Sequence, residues 1–274
     1  MRGRDEELRI ASEMLGGAER GKGKVLLIEG DPGTGKTGLL GGIIKEAAER
    51  HFSLATAEAD EIGRRTPFAP LLTALQDAVS GLPSGTSSLS APESWAPVVS
   101  KLQALLERRA AASPLLVSLD DLHYADAATL YALRRLTRQL APHRLAWSLA
   151  RSTVLQRDHA SVLFDLLARE GAARVALGPL DGEAVAGTIA DILGAMPDAG
   201  LRQLVAGAAG NPFLLNELLL GLQEEHAVLV ESGTAVLTAS QLPRRLRDAT
   251  GRWLGRLNQG TGRMLETAAV LGRG

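Results

Sequence analysis

The 274-residue chain contains no cysteine, which excludes a disulfide framework, thiolate chemistry and a metal site built from Cys. It has almost no excess charge of either sign. With 30 Lys and Arg against 31 Asp and Glu, the net charge is −1, so bulk electrostatics gives no reason to expect nucleic acid or an anionic membrane as a direct partner. No uninterrupted apolar stretch is long enough to span a bilayer. The charged start, Met1-Arg2-Gly3-Arg4-Asp5-Glu6-Glu7, lacks the apolar centre of a secretory signal. A cytoplasmic protein with no membrane partner is expected. What remains, 45% hydrophobic and 22% charged residues, is ordinary for a globular core, and the length allows one large or two modest domains.

Against that plain background one stretch organises the chain: Lys24-Val25-Leu26-Leu27-Ile28-Glu29-Gly30-Asp31-Pro32-Gly33-Thr34-Gly35-Lys36-Thr37. Val25 to Ile28 is a short apolar run, the pattern of a strand buried on both faces of a parallel sheet. Gly30 through Thr37 then fits G-x-x-x-x-G-K-[ST], the phosphate-binding loop. Each residue type has a job there. Glycines let the backbone curl so that successive N–H groups point at phosphate oxygens, in conformations a Cβ blocks. Pro32 stiffens the loop. Lys36 places a compact positive charge on the β- and γ-phosphates, and the Thr37 hydroxyl is a hard oxygen ligand for Mg²⁺. The helix starting near Thr37 and continuing through Gly38 aims its positive end at the same anion. The bland alternative is a Gly-rich turn that matches by chance. The strand before and the helix after favour a nucleotide site, with Gly30, Asp31, Pro32, Gly33, Thr34, Gly35, Lys36, Thr37 and Gly38 as contacts for ATP or ADP and Mg²⁺.

The rest of the first half alternates strand and helix. Asp5 to Leu15 reads as an amphipathic helix, and Gly16-Gly17 then lead towards the first strand. After the loop, Leu39, Leu40, Ile43 and Ile44 form the buried face of a helix ending near His51. A second strand from Phe52 to Ala57 implies a right-handed parallel crossover. Phe68 to Ala78 resumes as helix. Ser80 to Pro97, rich in Ser, Gly and Pro, reads as a long surface loop, and Val98 to Ala111 as another helix.

Pro114 to Asp121 is a mostly apolar strand that ends in two carboxylates. Asp120 is expected at the carboxyl end of the sheet beside the loop, holding Mg²⁺ together with Thr37. Asp121 is placed to polarise an attacking water. A strand that simply stops in a polar turn is the alternative, but its place after the loop makes the pair more specific than either part. Asp126 is placed to cap a helix from Ala127 to Leu140. His123 reads either as a polar contact near the phosphate end or as a residue that packs or caps locally. Arg144 to Leu149 forms a further strand. Arg151 beyond it either senses the γ-phosphate with a fixed charge or is a solvated loop arginine. Arg174 to Leu177 is a fifth strand, after a helix carrying Val162, Leu163, Leu166 and Leu167. The expected fold class is α/β, a doubly wound parallel sheet of about five strands followed by a smaller helical lid.

After Pro179 the pattern becomes helical: Glu183 to Leu193 behind the cap Asp181, Leu201 to Ala208, and Leu214 to Leu222 entered through Gly210-Asn211-Pro212-Phe213. His226 to Leu237 alternates around Ser232-Gly233 and reads as a hairpin. From Leu242, a helix carries Arg244, Arg245, Arg247, Arg252 and Arg256 mainly off its apolar face. Without an aromatic or Gly-rich readout module it reads as a solvated interdomain helix rather than a nucleic-acid binder. Met264 to Leu271 reads as one more apolar helix. The expected domains are a nucleotide-binding core over 1–178, a lid with its hairpin over 179–238, and the start of a following helical domain over 239–274.

Gly3-Arg4-Asp5, the loop Gly30 to Thr37, Asp120-Asp121-Leu122-His123-Tyr124-Ala125-Asp126, Arg151, Gly210-Asn211-Pro212-Phe213 and Ala268-Ala269-Val270-Leu271-Gly272-Arg273 occur in fixed order. Together they resemble the amino-terminal ATPase domain of large ATP-binding LuxR-type (LAL) transcriptional regulators, which belong to the signal-transduction ATPases with numerous domains. The resemblance covers essentially the whole chain. It implies that Gly3-Arg4 lies near the adenine, that Arg151 senses the γ-phosphate and that Pro212 contacts the base from the lid. It also implies a regulatory switch in which ATP favours an open or self-associated form. DNA is then bound only through a carboxyl-terminal helix-turn-helix, which is not recognisable in these residues, so the chain reads as a domain fragment or truncated member. Tyr124 stands where relatives often carry Trp. Asp121 replaces the glutamate that vigorous ATPases use as base, which implies slow turnover. The expected function is an ATP-binding, slowly hydrolysing switch with Lys36, Asp120, Asp121 and Arg151 as its catalytic set. A non-hydrolysing, nucleotide-dependent interaction module and, further off, a small-molecule kinase are the alternatives.

Overall fold

A computed structural model describes residues 2–75, 94–154, 158–238 and 241–254. They form two compact units, residues 3–178 and the residues from Pro179 onward. The first unit runs α1 (Asp5–Glu19), β1 (Lys24–Gly30), α2 (Lys36–Glu49), β2 (Ser53–Glu58), α3 (Ala69–Ala74), α4 (Trp95–Ala112), β3 (Leu115–Asp120), α5 (Ala127–Gln139), β4 (Leu145–Ser152), α6 (His159–Arg169) and β5 (Ala173–Leu177). Its sheet has five strands in the order β2-β3-β4-β1-β5, and every pairing is parallel. This is the α/β phosphate-loop fold that the alternation of strand and helix predicts. The order places β1 between two strands made much later in the chain: Lys24 pairs with Ala146 and Leu26 with Ala173.

The period of two along each strand sorts the core into two layers. Leu27, Val117, Leu119, Trp147 and Leu149 pack with residues of α3, α4, α5 and α6. Leu26, Ile28, Leu116, Ala146 and Ala150 pack with α1 and α2. By the same alternation Glu29 and Arg151 fall on the α6 face, and Asp120 and Ser152 on the α2 face. With neighbours on both sides and helices on both faces, all eight residues of β4 are buried.

Several boundaries differ from the sequence reading for physical reasons. Helix α1 continues through Gly16-Gly17 to Glu19. A Cβ on Gly17 would lie 3.0 Å from Lys24 Cγ and 3.3 Å from the Lys22 carbonyl oxygen, so this glycine marks a close approach of chain rather than a break. Helix α4 begins at Trp95, inside the stretch read as loop. The Trp95 ring is anchored 6.5 Å from Phe68, edge to face, and 5.5 Å from Tyr131. Residues 80–93 of that loop lie outside the described residues. Strand β4 runs on to Ser152, so Arg151 is a strand residue and not a loop arginine.

The second unit comprises α7 (Gly182–Leu193), β6 (Met196–Pro197), α8 (Ala199–Ala206), α9 (Pro212–Glu224), β7 (Val228–Glu231), β8 (Thr234–Leu237) and α10 (Arg244–Leu254). Ile189, Leu201, Leu215, Leu218, Leu219, Leu222 and Ala235 form its core. The hairpin turns at Ser232-Gly233, both at positive φ. Strand β6, which the sequence reading lacks, pairs in parallel with β8; two residues are too few to show an alternation. Arg245 of α10 is paired with Glu217 and Glu224. The helix read over Met264 to Leu271 lies outside the described residues. Among the described residues no helix is long and apolar enough to cross a membrane.

Candidate functional site

The loop from Gly30 to Thr37 joins β1 to α2 at the carboxyl edge of the sheet, the edge at which open α/β sheets bind ligands. Its path needs glycine. Gly33 and Gly35 have φ of 80° and 95°, and a Cβ on Gly30 would lie 2.5 Å from Thr34 Oγ1 and 2.8 Å from the Leu177 carbonyl oxygen. The Thr34 N–H and hydroxyl both donate to the Asp31 carbonyl, at 3.3 and 2.8 Å. Lys36 is only 7% exposed. Its Nζ donates to the carbonyls of Gly30 and Asp31, both at 3.0 Å, so the loop closes on its own cation. Burial pushes the Lys36 pKa down, and the carboxylates of Asp121, Asp120 and Asp31 partly counter that push. No side chain caps α2, which leaves its first-turn N–H groups to an anion.

Strand β3 ends beside this loop. The Thr37 hydroxyl donates to Asp120 Oδ2 at 2.6 Å, across 83 residues of sequence. Asp120 Oδ1 accepts the Asp121 N–H at 2.8 Å. Asp121 itself adopts a left-handed conformation, φ 51° and ψ 37°, which Asp tolerates better than most residues. It turns the chain into a short 3₁₀ segment, Leu122–Tyr124. Asp126 caps α5 as expected: Oδ1 accepts the Thr129 N–H at 2.8 Å, and Oδ2 accepts the Thr129 hydroxyl at 2.5 Å. It also accepts the N–H of buried Phe68 at 3.0 Å.

His123 ties the end of β3 to the end of β4, since its Nδ1 accepts the Ser152 N–H at 3.3 Å. Asp121 Oδ1 lies 3.7 Å from the same nitrogen. Burial and then the Lys36 cation push the His123 pKa down from 6.5 to about 4, against Asp158 and Asp120, with a further push from Arg151. The imidazole is therefore neutral at pH 7, and the unfolded chain binds its proton first as pH falls. Stability attributable to His123 is complete above about pH 6.5 and declines as pH falls from there towards 4. Urea unfolding at a series of pH values is expected to show that decline in the wild type and a shallower one in His123→Gln. Equal slopes would show that another group controls this range.

The remaining predicted residues are placed as follows. Arg4 is buried, and its Nη2 donates to the carbonyls of Thr34 and Gly178, at 3.1 and 2.5 Å. It fastens the outer side of the loop to the chain following β5. Arg151 is also buried and is neither solvated nor turned to the loop. Its Nε donates to Glu29 Oε1 at 2.6 Å, and its guanidinium lies 5.5 Å from the Phe164 ring centre. Pro212 belongs to the second unit, where it opens α9 behind the Asn211 cap. Two residues of the loop's surroundings escaped the sequence reading. Thr153 donates its hydroxyl to the Asp31 carboxylate and its N–H to the Gly30 carbonyl at 3.3 Å. Glu29 accepts from both Arg151 and Arg174. A charged residue inside an apolar strand, just before the loop, was the available signal, because such a residue needs a counter-ion.

The fold and the loop define a nucleotide-binding α/β domain of the phosphate-loop class. The family model for the AAA ATPase domain matches residues 1–148, and the chain belongs to that family. No curated protein is a significant match to it. Among solved structures, Cdc6p from Pyrobaculum aerophilum is similar at 16% identity with a TM-score of 0.57, over 81% of this chain and 62% of that one. The replication initiator DnaA, bound to AMPPCP and single-stranded DNA, is similar at 14% identity and a TM-score of 0.52, over 82% and 65%. A RuvB structure from Thermotoga maritima gives 15% and 0.50 over 100% and 78%. These likenesses show a shared fold. The chain spans less than two thirds of the length of the Cdc6p and DnaA structures.

Proposed function

We propose that this chain is an ATP-binding, slowly hydrolysing switch domain of a transcriptional regulator. The observation that carries the nucleotide part is the 2.6 Å hydrogen bond between Thr37 and Asp120, at the mouth of a loop whose lysine is buried on the loop's own carbonyls. A triphosphate supplies oxygens that replace those carbonyls around Lys36 and the first turn of α2. The fold family implies Mg²⁺, and the donor set fits it: a hydroxyl and a carboxylate, both hard oxygens, already adjacent. Among the described residues no cluster of three or more His, Cys, Asp or Glu could hold a metal alone. Water and phosphate would therefore complete the coordination of an ion held by Thr37 and Asp120. When bound, Mg²⁺ neutralises charge on the phosphates.

Asp121 is assigned the attacking water. Its side chain is shorter than glutamate and it sits on a left-handed turn, which supports slow turnover. Arg4 orders the loop in this reading, and the base-side roles of Gly3-Arg4 and of Pro212 rest on the resemblance described above. So do the regulator assignment and DNA contact through a further domain, whereas the division into a core over 1–178, a lid over 179–238 and the start of another domain over 239–274 rests on the change to a helical pattern after Pro179.

Two measurements test the reading. ATP hydrolysis by the purified chain, followed across protein concentrations with Mg²⁺ present and chelated, is expected to be weak and Mg²⁺-dependent. It is expected to rise more than linearly with protein if protomers complete each other's sites. Rapid turnover independent of concentration would overturn the switch. Asp121→Asn is expected to lower kcat roughly a hundredfold, the lower end for loss of a positioned base, while the Kd for ATP stays within about twofold. An unchanged kcat would remove Asp121 from the chemistry. Tight binding with no turnover in the wild type would favour the non-hydrolysing module.

A further inference from the structure

Glu29 has more positive charge around it than one buried carboxylate needs. Its Oε1 accepts from Arg151, with Nε and Nη2 each at 2.6 Å, and its Oε2 accepts from Arg174 Nε. Glu29 and Arg151 are buried, whereas the Arg174 side chain is 39% exposed and is also held by Asp165 at 2.9 Å. The other polar partners of Arg151 are looser, the Ser152 carbonyl at 3.4 Å and Asp158 Oδ1 at 3.6 Å, and the Phe164 ring centre lies 5.5 Å from its guanidinium. A buried carboxylate stripped of its cation is strongly unfavourable, and a fixed pair needs only one arginine. Two arginines on separate strands allow one to leave.

Position decides which one. Arg174 is on edge strand β5 and tied to Asp165. Arg151 lies two residues before Thr153, whose N–H and hydroxyl bond to Gly30 and Asp31 of the loop. It therefore stands where β4 meets the phosphate loop, one residue before the last pair of β4 with β1, Ser152 with Gly30, and its long side chain has several staggered rotamers to choose from. Guanidinium groups form bidentate pairs with phosphate as readily as with carboxylate.

We infer that Glu29 is a positioning residue that holds Arg151 away from the phosphate loop, and that Arg174 is the standing counter-ion that lets Arg151 move to a terminal phosphate. The inference rests on the reading of Gly30 to Thr37 as an ATP site. It adds to that reading two residues, Glu29 and Arg174, that set how strongly ATP is preferred over ADP.

The test measures Kd for ATP and for ADP by displacement of a fluorescent ATP analogue from the full chain. Glu29→Gln frees Arg151 and is expected to raise the preference for ATP roughly tenfold, the effect of about one charge-assisted hydrogen bond. Arg174→Gln leaves Glu29 with Arg151 alone, tightens the latch and is expected to lower the preference by a similar factor. Adding Arg151→Gln to Glu29→Gln should abolish the gain. A purely structural brace would give shifts of one sign, or equal shifts for both nucleotides, and either result overturns the inference. Should Glu29→Gln fail to fold, Arg174→Gln, altered at a half-exposed residue, decides alone: an unchanged ATP-to-ADP ratio overturns the latch. A wild type that binds neither nucleotide removes the loop reading and the latch with it. Tight binding with an unmoved ratio removes the latch only.

Discussion

Replacing Lys36 with alanine is expected to weaken ATP binding by about two orders of magnitude while leaving the chain folded. Lys36 is the buried cation of the loop, and its Nζ has two carbonyl partners there. Those carbonyls can be rehydrated when the ammonium is removed, so the fold loses little. The triphosphate cannot recover what it loses. A charge-assisted contact in a partly buried site contributes about 3 kcal/mol, or roughly a hundredfold in Kd. Arginine is not an expected rescue, because its planar fork has a different reach and shape from a compact ammonium. Titration of a fluorescent ATP analogue, with circular dichroism to verify folding, is the measurement. Binding equal to wild type in Lys36→Ala would show that the loop is not the site.

The second large effect is expected on stability, at Asp126. This carboxylate caps α5 through the Thr129 N–H and hydroxyl, and also holds the N–H of Phe68. Phe68 is fully buried and adopts φ 64°, a left-handed conformation without glycine, so its N–H has no ready substitute for the carboxylate. Loss of the cap costs about 1 kcal/mol, and a buried N–H left unsatisfied costs a further 1–3 kcal/mol or so. Asp126→Ala is therefore expected to destabilise the first unit by about 3 kcal/mol, read as a lower urea midpoint with unchanged m. Asp126→Asn, which keeps an oxygen for the two N–H groups but loses the acceptor of the Thr129 hydroxyl, is expected to lose about 1 kcal/mol. A loss below that in the alanine variant would show that Phe68 is held by its packing alone.

Asp126 also shows what a sequence can and cannot disclose. Its role as a cap was legible, because an acidic residue just before a helical period has a local cause. Its bond to Phe68 was not, because that contact joins segments 58 residues apart. The same division holds for the candidate site. The loop and the end of β3 follow from residue types at fixed spacing, and the structure brings Thr37 and Asp120 together. Arg151 did not follow. Reading the strand as ending at Leu149 left Arg151 in a loop, whereas three further residues of pairing with β1, ending at Gly30 with Ser152, bury it beside Glu29. Whether a polar residue continues a strand depends on the partner across from it, and that partner is more than a hundred residues away. Gly16-Gly17 illustrates the converse: glycine suggested a stop, but the helix continued because the returning chain needed the space a Cβ would fill.

The position of β1 in its sheet has a consequence for synthesis. The loop is complete once Thr37 has been made, yet the strands that flank it come with Ala146 and Ala173. A ribosome adding roughly 5–20 residues per second leaves the apolar run Val25 to Ile28 without its neighbours for on the order of ten seconds. During that interval the nascent chain carries the whole motif without either of the strands that flank it in the sheet. An amino-terminal piece released before β4 would present an intact signature to any sequence search and an unpaired hydrophobic strand to its surroundings.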